Sequence, residues 1–468
     1  MSWELLLLAS TVTMLVAFAL KIPVAIALAL AGFVGLVMAG DLTLAENALR
    51  QITYGANYNF LLVAVPLFIF MAEILTATGM SSRAFGAVST LFGRRRAAVP
   101  LSTIGLGALL AAVSGSSAAN VASLGRVAMA EMVGQGFKKP LAAGVVAVSG
   151  SLGIIIPPSI PAILYGFVNE MSVLAIFTAG VIPGLLLAFF SMLITVAWVA
   201  HSDRRAAAPA SAQRGVKVGQ PSGASAAPHV EAPTEPAARE ARLTGVDNRP
   251  TSRVSAVLQL VPLLALISLV LGTIYAGVAT PTEAAAMGCA GSLAVAATGG
   301  GLTWKTLQVA IDDSLRATGF ILLIIFGAVY LVFFLNYAQI PNSVVELFVG
   351  SDINPAVTLV IAIVVMLILG TLMETISLVL VATPILAPVL VTAGFEPLAV
   401  AIILLILVEM GLNTPPVGLN IFIMLGVGKD VGLSYGDIVK GCLVYLIPGF
   451  MAIGMILLFP WITTFEAS

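Results

Sequence analysis

The stretch Ser149–Gly166, SGSLGIIIPPSIPAILYG, decides the fold because it is apolar enough for a membrane and yet contains adjacent prolines. Pro157 and Pro158 lie in its middle, and Pro161 follows. Each proline removes a backbone donor and clashes with the preceding turn, so no straight helix continues through the pair. Irregular backbone at membrane depth is tolerated only where it is buried in protein or lines a watery cavity. The stretch therefore predicts a helix that is broken at a binding site.

The composition predicts a polytopic membrane protein. Charged residues make up 9% of the 468 residues and hydrophobic residues 60%, whereas a typical soluble domain has roughly 25% charged residues. Apolar stretches recur from Trp3 to Trp461, many near the roughly 20 residues that a helix needs to cross a bilayer. The first stretch has no small-residue cleavage site, so we interpret it as a retained span and not as a signal peptide.

The cysteines and histidines indicate neither a disulfide framework nor a metal centre. Cys289 and Cys442 lie far apart in apolar segments without metal-ligand spacing. His201 and His229 lie at or inside a polar region, which leaves no histidine in the apolar segments for a proton relay. We therefore predict no organic cofactor.

A polar region divides the chain into two halves. Residues 202–252 are rich in Ala, Pro, Arg and Glu and have almost no large apolar side chains. Such a composition cannot bury a core and predicts a disordered linker. The halves on either side are residues 1–201 and 253–468.

The two halves are related by an internal repeat. The proline pair recurs at Pro415–Pro416, 258 residues after Pro157–Pro158. The same offset carries Gly136 to Gly394 and the proline of LKIPVAI to that of VATPTEA. Several landmarks at one offset indicate repeated structure.

Each half is predicted to contain five crossings and one re-entrant hairpin, in an all-α fold. The first half has predicted spans at residues 3–20, 24–40, 58–79 and 172–200, a hairpin at about 98–133 and a broken helix at 140–168. The second has predicted spans at 254–276, 279–298, 318–337 and 440–463, a hairpin at about 355–391 and a broken helix at 397–427. Short amphipathic helices are predicted near 42–56 and 303–317. Because five crossings are an odd number, the repeats must be inverted relative to each other.

The basic residues predict the orientation in the membrane. With both termini in the periplasm, 20 of the 21 Lys and Arg residues lie on the inner side, and only Arg50 lies outside. This asymmetry follows the positive-inside rule. It places the linker in the cytoplasm, and the first hairpin opens from the cytoplasm while the second opens from outside.

Inverted repeats with broken helices are typical of secondary transporters, whose sites lie at the breaks. Free carbonyls at the first break, those of Gly153, Ile156 and Pro157, can coordinate a small cation. The half-helix that begins at Ser159 offers N–H groups and a partial positive charge to an anion.

The hairpin tips add polar atoms at matching positions. The first tip contains Ser114, Gly115, Ser116, Ser117 and Asn120. The second contains Thr371, Met373, Glu374, Thr375 and Ser377, opposite Gly411, Asn413 and Thr414. Small residues also serve close helix packing in membranes, which is the alternative interpretation.

Four glutamates lie within apolar segments. Glu374 and Glu409 are intramembrane carboxylates with either a ligand-binding or a structural role. Glu73 and Glu283 lie nearer span ends, which favours helix-end or interface roles.

Four stretches together resemble the large permease subunit, DctM-like, of tripartite ATP-independent periplasmic (TRAP) transporters. They are SGSSAANVASLG, GSLGIIIPPSIPAILYG, TPTEAAAMG and GLNTPPVGLNIFI, and the resemblance covers nearly the whole chain except the linker. It implies Na⁺-driven uptake of organic anions, typically carboxylates, across the bacterial inner membrane by an elevator movement. It also implies two partners, a small DctQ-like membrane subunit, expected as a separate chain, and a DctP-like periplasmic binding protein.

The resemblance also implies two Na⁺ sites. One would use the first tip (Ser114, Ser116) with Gly153, Ile156 and Pro158, and the other Gly370 and Met373 with Gly411, Thr414 and Pro416. The predicted substrate contacts are Ser117, Asn120, Ser159, Thr375 and Asn413. The chain departs from the family in its longer linker and in Glu374, which stands where an aspartate is frequent.

Other classes of protein fit less well. An intramembrane enzyme would need a nucleophile and a base, and the apolar segments have no histidine, Ser–Lys or paired-Asp arrangement. A channel does not need two hairpins that open from opposite sides. A stand-alone Na⁺- or H⁺-coupled anion transporter remains the alternative to the tripartite system.

Overall fold

The structure, a computed structural model, describes residues 2–55, 59–92, 97–207, 252–299, 301–350 and 353–464. All regular secondary structure in these ranges is helical, as predicted. Residues 208–251, which hold most of the predicted linker, lie outside them.

The described residues of the first half form ten α-helices. They are α1 (Trp3–Ala19), α2 (Val24–Ala39), α3 (Leu42–Gly55), α4 (Ala64–Ala77), α5 (Met80–Phe92), α6 (Ala98–Ser114), α7 (Ser117–Gly134), α8 (Lys139–Ile155), α9 (Ile160–Val168) and α10 (Val173–Ala207). A short 3₁₀ helix, Phe60–Val63, precedes α4.

The second half follows the same order. Its helices are α11 (Arg253–Tyr275), α12 (Pro281–Thr298), α13 (Trp304–Tyr337), α14 (Ile340–Gly350), α15 (Pro355–Leu372), α16 (Thr375–Thr392), α17 (Pro397–Leu412), α18 (Leu419–Val427), α19 (Tyr435–Val444), α20 (Leu446–Leu458) and α21 (Trp461–Thr464).

The 258-residue offset holds for helix boundaries as well as for prolines. Helix α7 (Ser117–Gly134) and helix α16 (Thr375–Thr392) both begin and end 258 residues apart. Each is followed by a glycine with positive φ, Gly136 at 82° and Gly394 at 99°, which is a common way to end a helix. Each proline pair contains a cis peptide bond.

Both predicted broken helices are broken where the prolines lie. Helices α8 and α9 are bent by 44° across a break of four residues. Helix α17 ends at Leu412 and α18 begins at Leu419 after the second proline pair. The prolines stop the first half-helix in each case because they cannot donate to its last turn.

Contacts between α8 and α17 show that these two helices run in opposite directions. A Cβ on Gly180 would lie 2.8 Å from the Ile155 carbonyl oxygen and 3.6 Å from Ile402 Cδ1. Ser151, four residues before Ile155, accepts a hydrogen bond at its Oγ from Asn413 Nδ2 over 2.8 Å. Asn413 directly follows α17. Ile155, at the end of α8, thus lies near Ile402 in the first part of α17, whereas Ser151, earlier in α8, lies at the C-terminal end of α17. The two helices are therefore antiparallel, as inverted repeats require.

Three segments differ from the prediction. Helix α10 continues to Ala207 and so includes the first residues assigned to the linker. Within the predicted last span, 440–463, α19 and α20 together form one candidate crossing, Tyr435–Leu458. The short helix α21 follows Pro460 separately, because proline cannot continue a helix.

The third difference is the continuous helix α13, which joins the predicted amphipathic segment at 303–317 to the third span. In the first half the Asn59 side chain accepts from Leu61 N and begins a new turn, and Pro66 follows. The equivalent positions of the second half, at the same offset, are Ala317 and Ile324. Neither residue interrupts a helix.

Length and composition agree with a polytopic membrane protein. Within the described ranges, seven helical segments are long and apolar enough to cross a membrane, or eight if the bent pair α8–α9 is one span. Helices α1, α2 and α17 are apolar but shorter. Many leucines and valines of α1, α11 and α15 are exposed in the isolated chain, as a lipid-facing surface requires.

Candidate functional site

The first hairpin tip lies directly against the first helix break. Gly115, with φ of 56°, turns the chain between α6 and α7, a conformation that favours glycine. A Cβ there would lie 3.2 Å from the Pro158 carbonyl oxygen and 3.1 Å from Ile160 N. A Cβ on Gly153 would lie 3.2 Å from Asn120 Nδ2. The fold thus brings together tip and break residues that are far apart in sequence.

Ser159 begins the second half of the first broken helix. Its hydroxyl accepts a bond from Ala162 N over 3.3 Å and donates one to the Ile154 carbonyl over 2.5 Å. The side chain is fully buried. In this conformation Ser159 is the N-cap of α9, and its predicted contact with substrate stays a prediction.

The second tip and the second break are also in contact. The Cα atoms of Gly370 and Gly411 face each other, since a Cβ on Gly370 would lie 2.6 Å from Gly411 Cα. Gly418 N donates to the Thr371 carbonyl over 3.1 Å. Only glycines permit this approach of two backbones, so Gly370 and Gly411 are brought together as predicted.

The polar side chains of the second tip have defined partners. Glu374 caps α16, because its Oε1 accepts from Ser377 N over 2.8 Å and from Ser377 Oγ over 3.0 Å. Thr414 Oγ1 donates to the Met410 carbonyl over 2.7 Å. The Tyr435 hydroxyl donates to the Pro416 carbonyl over 2.6 Å. In this conformation Glu374 is the N-cap of α16, and a ligand-binding role for it stays a prediction.

Five polar residues form a cluster between the two halves, here called the central polar cluster. Its members are Ser117, Ser151, Glu409, Asn413 and Asn420. Glu409 Oε1 accepts from Ser117 Oγ over 2.9 Å, from Asn420 Nδ2 over 3.0 Å and from Asn413 Nδ2 over 3.2 Å. Asn420 Nδ2 also lies 3.0 Å from Ser117 Oγ. Two predicted substrate residues, Ser117 and Asn413, thus lie in a network that joins the repeats.

The sequence predicts no role for two members of this cluster, Ser151 and Asn420, and leaves Glu409 between a ligand-binding and a structural role. The repeat offered a signal for one of them, because Ser151 plus 258 residues is Glu409. Equivalent positions that meet in space lie near the axis that relates the two repeats. For Asn420, the sequence has no comparable signal.

A cavity of about 200 Å³ lies between the first tip and helices α4, α5, α11 and α13. Its polar lining residues are Glu73, Thr76, Ser81, Ser116, Asn120 and Ser123. Ser116 and Asn120 belong to the predicted site. Ser117, Ser159, Thr375 and Asn413 do not line this cavity.

Glu73 lies on the wall of this cavity, and Glu283 lies outside it. The sequence favoured a helix-end or interface role for both. Glu283 does hold a helix end, since it closes a capping box with Thr280 through two 2.8 Å bonds. No sequence pattern connects Glu73 to the first tip, because α4 and α7 come to line one cavity only in the folded chain.

The chemistry of the two tip–break contacts suits a small hard cation. They offer hydroxyl and carbonyl oxygens, the ligands with which unwound transporter helices coordinate Na⁺. Among the described residues, no group of three or more His, Cys, Asp or Glu side chains could hold a metal ion. Of the predicted Na⁺ ligands, Gly153 and Ser116 meet at the first contact, and Gly370 and Gly411 meet at the second. Binding of Na⁺ by the predicted sets stays a prediction.

Two related halves with a hairpin against a broken helix in each define the chain as a membrane transporter of the inverted-repeat class. The family model for the tripartite ATP-independent periplasmic transporter, DctM component, matches residues 11–462. The chain belongs to this family and is a large permease, not an enzyme, which confirms the predicted class.

Curated relatives support this assignment and differ in substrate. The chain is 32% identical over 385 residues to the C4-dicarboxylate TRAP transporter large permease protein DctM of Rhodobacter capsulatus, with 79% of each chain covered. It is 27% identical over 443 residues to the ectoine/5-hydroxyectoine TRAP transporter large permease protein UehC of Ruegeria pomeroyi, covering 93% of this chain and 92% of the relative.

One solved structure shows a similar fold. The crystal structure of the Alcanivorax borkumensis YdaH transporter superposes with a TM-score of 0.58 at 15% identity, covering 90% of this chain and 89% of the other. At that identity the likeness concerns the fold alone.

Proposed function

We propose that this chain is the permease of a Na⁺-driven, binding-protein-dependent system that imports an organic anion with a carboxylate group by an elevator movement. The observation that carries the proposal is the contact of each hairpin tip with the broken helix of its own half. Each half thereby offers one tip–break contact to Na⁺. The predicted ligand sets are Ser114, Ser116, Gly153, Ile156 and Pro158, and Gly370, Met373, Gly411, Thr414 and Pro416.

The proposed coupling follows from the geometry of these contacts. A cation bound between a tip and a break stabilises the contact between them, because its ligands come from both elements. The substrate carboxylate would lie nearby, at Asn120 and the N-terminus of α9, where N–H groups and the helix dipole favour an anion. Substrate and Na⁺ would then move together with the hairpins and broken helices.

The proposed orientation places both termini in the periplasm, with residues 1–201 and 253–468 as the two repeats. The outer loops of this arrangement are short and carry one basic residue, Arg50. They cannot concentrate a dilute anion by electrostatic attraction. Capture therefore falls to a separate periplasmic binding protein, and a small membrane subunit completes the system.

Reconstitution tests the proposal. Proteoliposomes that contain this chain and the small subunit should take up the substrate only when the binding protein is added outside, and only with an inward Na⁺ gradient. Uptake without the binding protein would favour the stand-alone transporter. Uptake that is indifferent to Na⁺ would contradict the proposed coupling.

A further inference from the structure

The cavity beside the first tip has one negatively charged lining residue, Glu73, and its described lining includes no Lys or Arg. Glu73 is half-buried and makes no hydrogen bond or ion pair with any described residue. Asp313 lies one helical turn before Ala317 in α13, and Ala317 also lines the cavity. This wall is therefore negative and lacks a partner of opposite charge from the described part of the chain.

Another part of the lining, contributed by the first tip and α9, has a different electrostatic character. It contains Ser116, Asn120 and Ile160, the first residue of α9. The N-terminus of a helix carries a partial positive charge. The cavity thus has one end suited to an anionic group and one end suited to a cationic group.

We propose that the substrate is a small zwitterion, whose ammonium or amidinium group pairs with Glu73 while its carboxylate faces the first tip. The inference rests on the proposed function, since it assumes that this cavity holds the transported molecule. A half-buried carboxylate loses part of its hydration, and a nearby opposite charge offsets that loss. A second carboxylate on the substrate would instead lie beside Glu73 and Asp313 and be repelled.

The size of the cavity limits the substrate further. A volume of about 200 Å³ lies below the roughly 300–1,000 Å³ of pockets for drug-sized ligands. A zwitterion that fits this volume is small, such as an amino acid or a betaine. The family includes permeases named for a dicarboxylate and for ectoine. Membership of the family therefore does not decide whether the substrate is a dicarboxylate or a zwitterion.

Uptake from a natural mixture tests the inference without a known ligand. Proteoliposomes with the complete tripartite system receive the deproteinised small-molecule extract of the bacterium that carries the gene, with and without a Na⁺ gradient. Mass spectrometry identifies what accumulates. We expect a zwitterion. A dicarboxylate, a hydroxy acid or a sugar acid would overturn the inference and leave the proposed function standing, whereas no Na⁺-dependent accumulation would overturn both.

A substitution then tests the role of Glu73 itself. Glu73→Gln keeps the size and removes the charge, so the substrate concentration for half-maximal uptake should rise about tenfold. Glu346→Gln, on the exposed face of α14, is the matched control and should leave uptake unchanged. The amount and thermal stability of purified Glu73→Gln should equal those of the unmodified chain. Unchanged half-saturation in a folded Glu73→Gln protein would contradict the inference.

Discussion

Single polar residues join the two repeats in the middle of an apolar protein. Glu409 is 2% exposed and Asn420 fully buried, and their bonds reach Ser117 in the other half. Buried polar groups are costly unless they are hydrogen-bonded. The central polar cluster therefore favours this packing of the halves, because its hydrogen bonds run from one half to the other.

Glu409→Leu should lower the free energy of unfolding by roughly 1–3 kcal/mol, because the donors of Ser117, Asn413 and Asn420 lose a common acceptor. The midpoint of thermal unfolding in detergent measures the effect. Glu409→Gln retains an acceptor oxygen at similar size and should lose less. Equal stability of the Leu and Gln variants would show that the cluster contributes little.

Gly411→Ala should also destabilise the chain, by about 1–3 kcal/mol, the usual cost of overpacking. A Cβ on Gly411 would lie 2.7 Å from Gly370 Cα, so the second tip and the second break must separate. Gly454→Ala is the control, because a Cβ at this position of α20 has no atom within 4 Å. Thermal unfolding of both variants checks the prediction, and a stable Gly411→Ala protein would contradict it.

At the scale of elements, the hairpin tip and the broken helix act as a pair in each half. Prolines stop the helix, and a hairpin tip covers the exposed backbone, as in the bond from Gly418 N to the Thr371 carbonyl. The hairpin tip thereby buries backbone groups that the prolines leave without helical partners, as irregular backbone at membrane depth requires. It also leaves hydroxyl and carbonyl oxygens of two elements close to one another.

Loss of one oxygen at a tip–break contact should weaken the response to Na⁺. Ser116→Ala, Asn120→Ala and Thr414→Val should each raise the Na⁺ concentration for half-maximal uptake several-fold while expression is maintained. Thr298→Val is the matched control, because this hydroxyl makes the same kind of bond to the carbonyl four residues earlier but lies away from both tips. Unchanged Na⁺ dependence in all three variants would mean that these groups only pack.

At the scale of the whole molecule, inversion of the repeats makes the two faces of the membrane chemically different. Helix α8 begins with Lys139, whose Nζ donates to the Gly432 carbonyl over 2.6 Å beside the end of α18. The antiparallel α17 begins with Pro397 after an acidic cap, Glu396. The proposed orientation puts 20 of the 21 Lys and Arg residues on the face of Lys139, which is then the cytoplasmic face.

A cysteine in the linker tests the orientation. Ser225→Cys should react with a membrane-impermeant maleimide only after the cytoplasmic side is opened, whereas Ser172→Cys should react in intact spheroplasts. The background is low, since the native Cys289 and Cys442 are both buried. Labelling of Ser225→Cys from outside would refute the proposed topology.

The sequence by itself determined the helical class, the repeat, the breaks and the hairpins of this protein. Proline cannot donate a hydrogen bond wherever it lies, and apolar runs near 20 residues have few alternatives to crossing a membrane. These properties are local, so they can be read from neighbouring residues. The continuity of α13 is also a local property, because Ala317 stands where the first half has Asn59. The symmetry of the repeats nevertheless predicts a break there, and the structure has none.

Only the tertiary structure decided which polar residues meet. Ser117 and Asn420 lie 303 positions apart, yet their side chains are 3.0 Å apart. Glu73 shares a cavity with Asn120 although its own segment is an ordinary apolar helix. Such neighbours depend on how the two inverted halves pack against each other, and helix packing is set by the shapes of whole surfaces and not by a spacing within one segment.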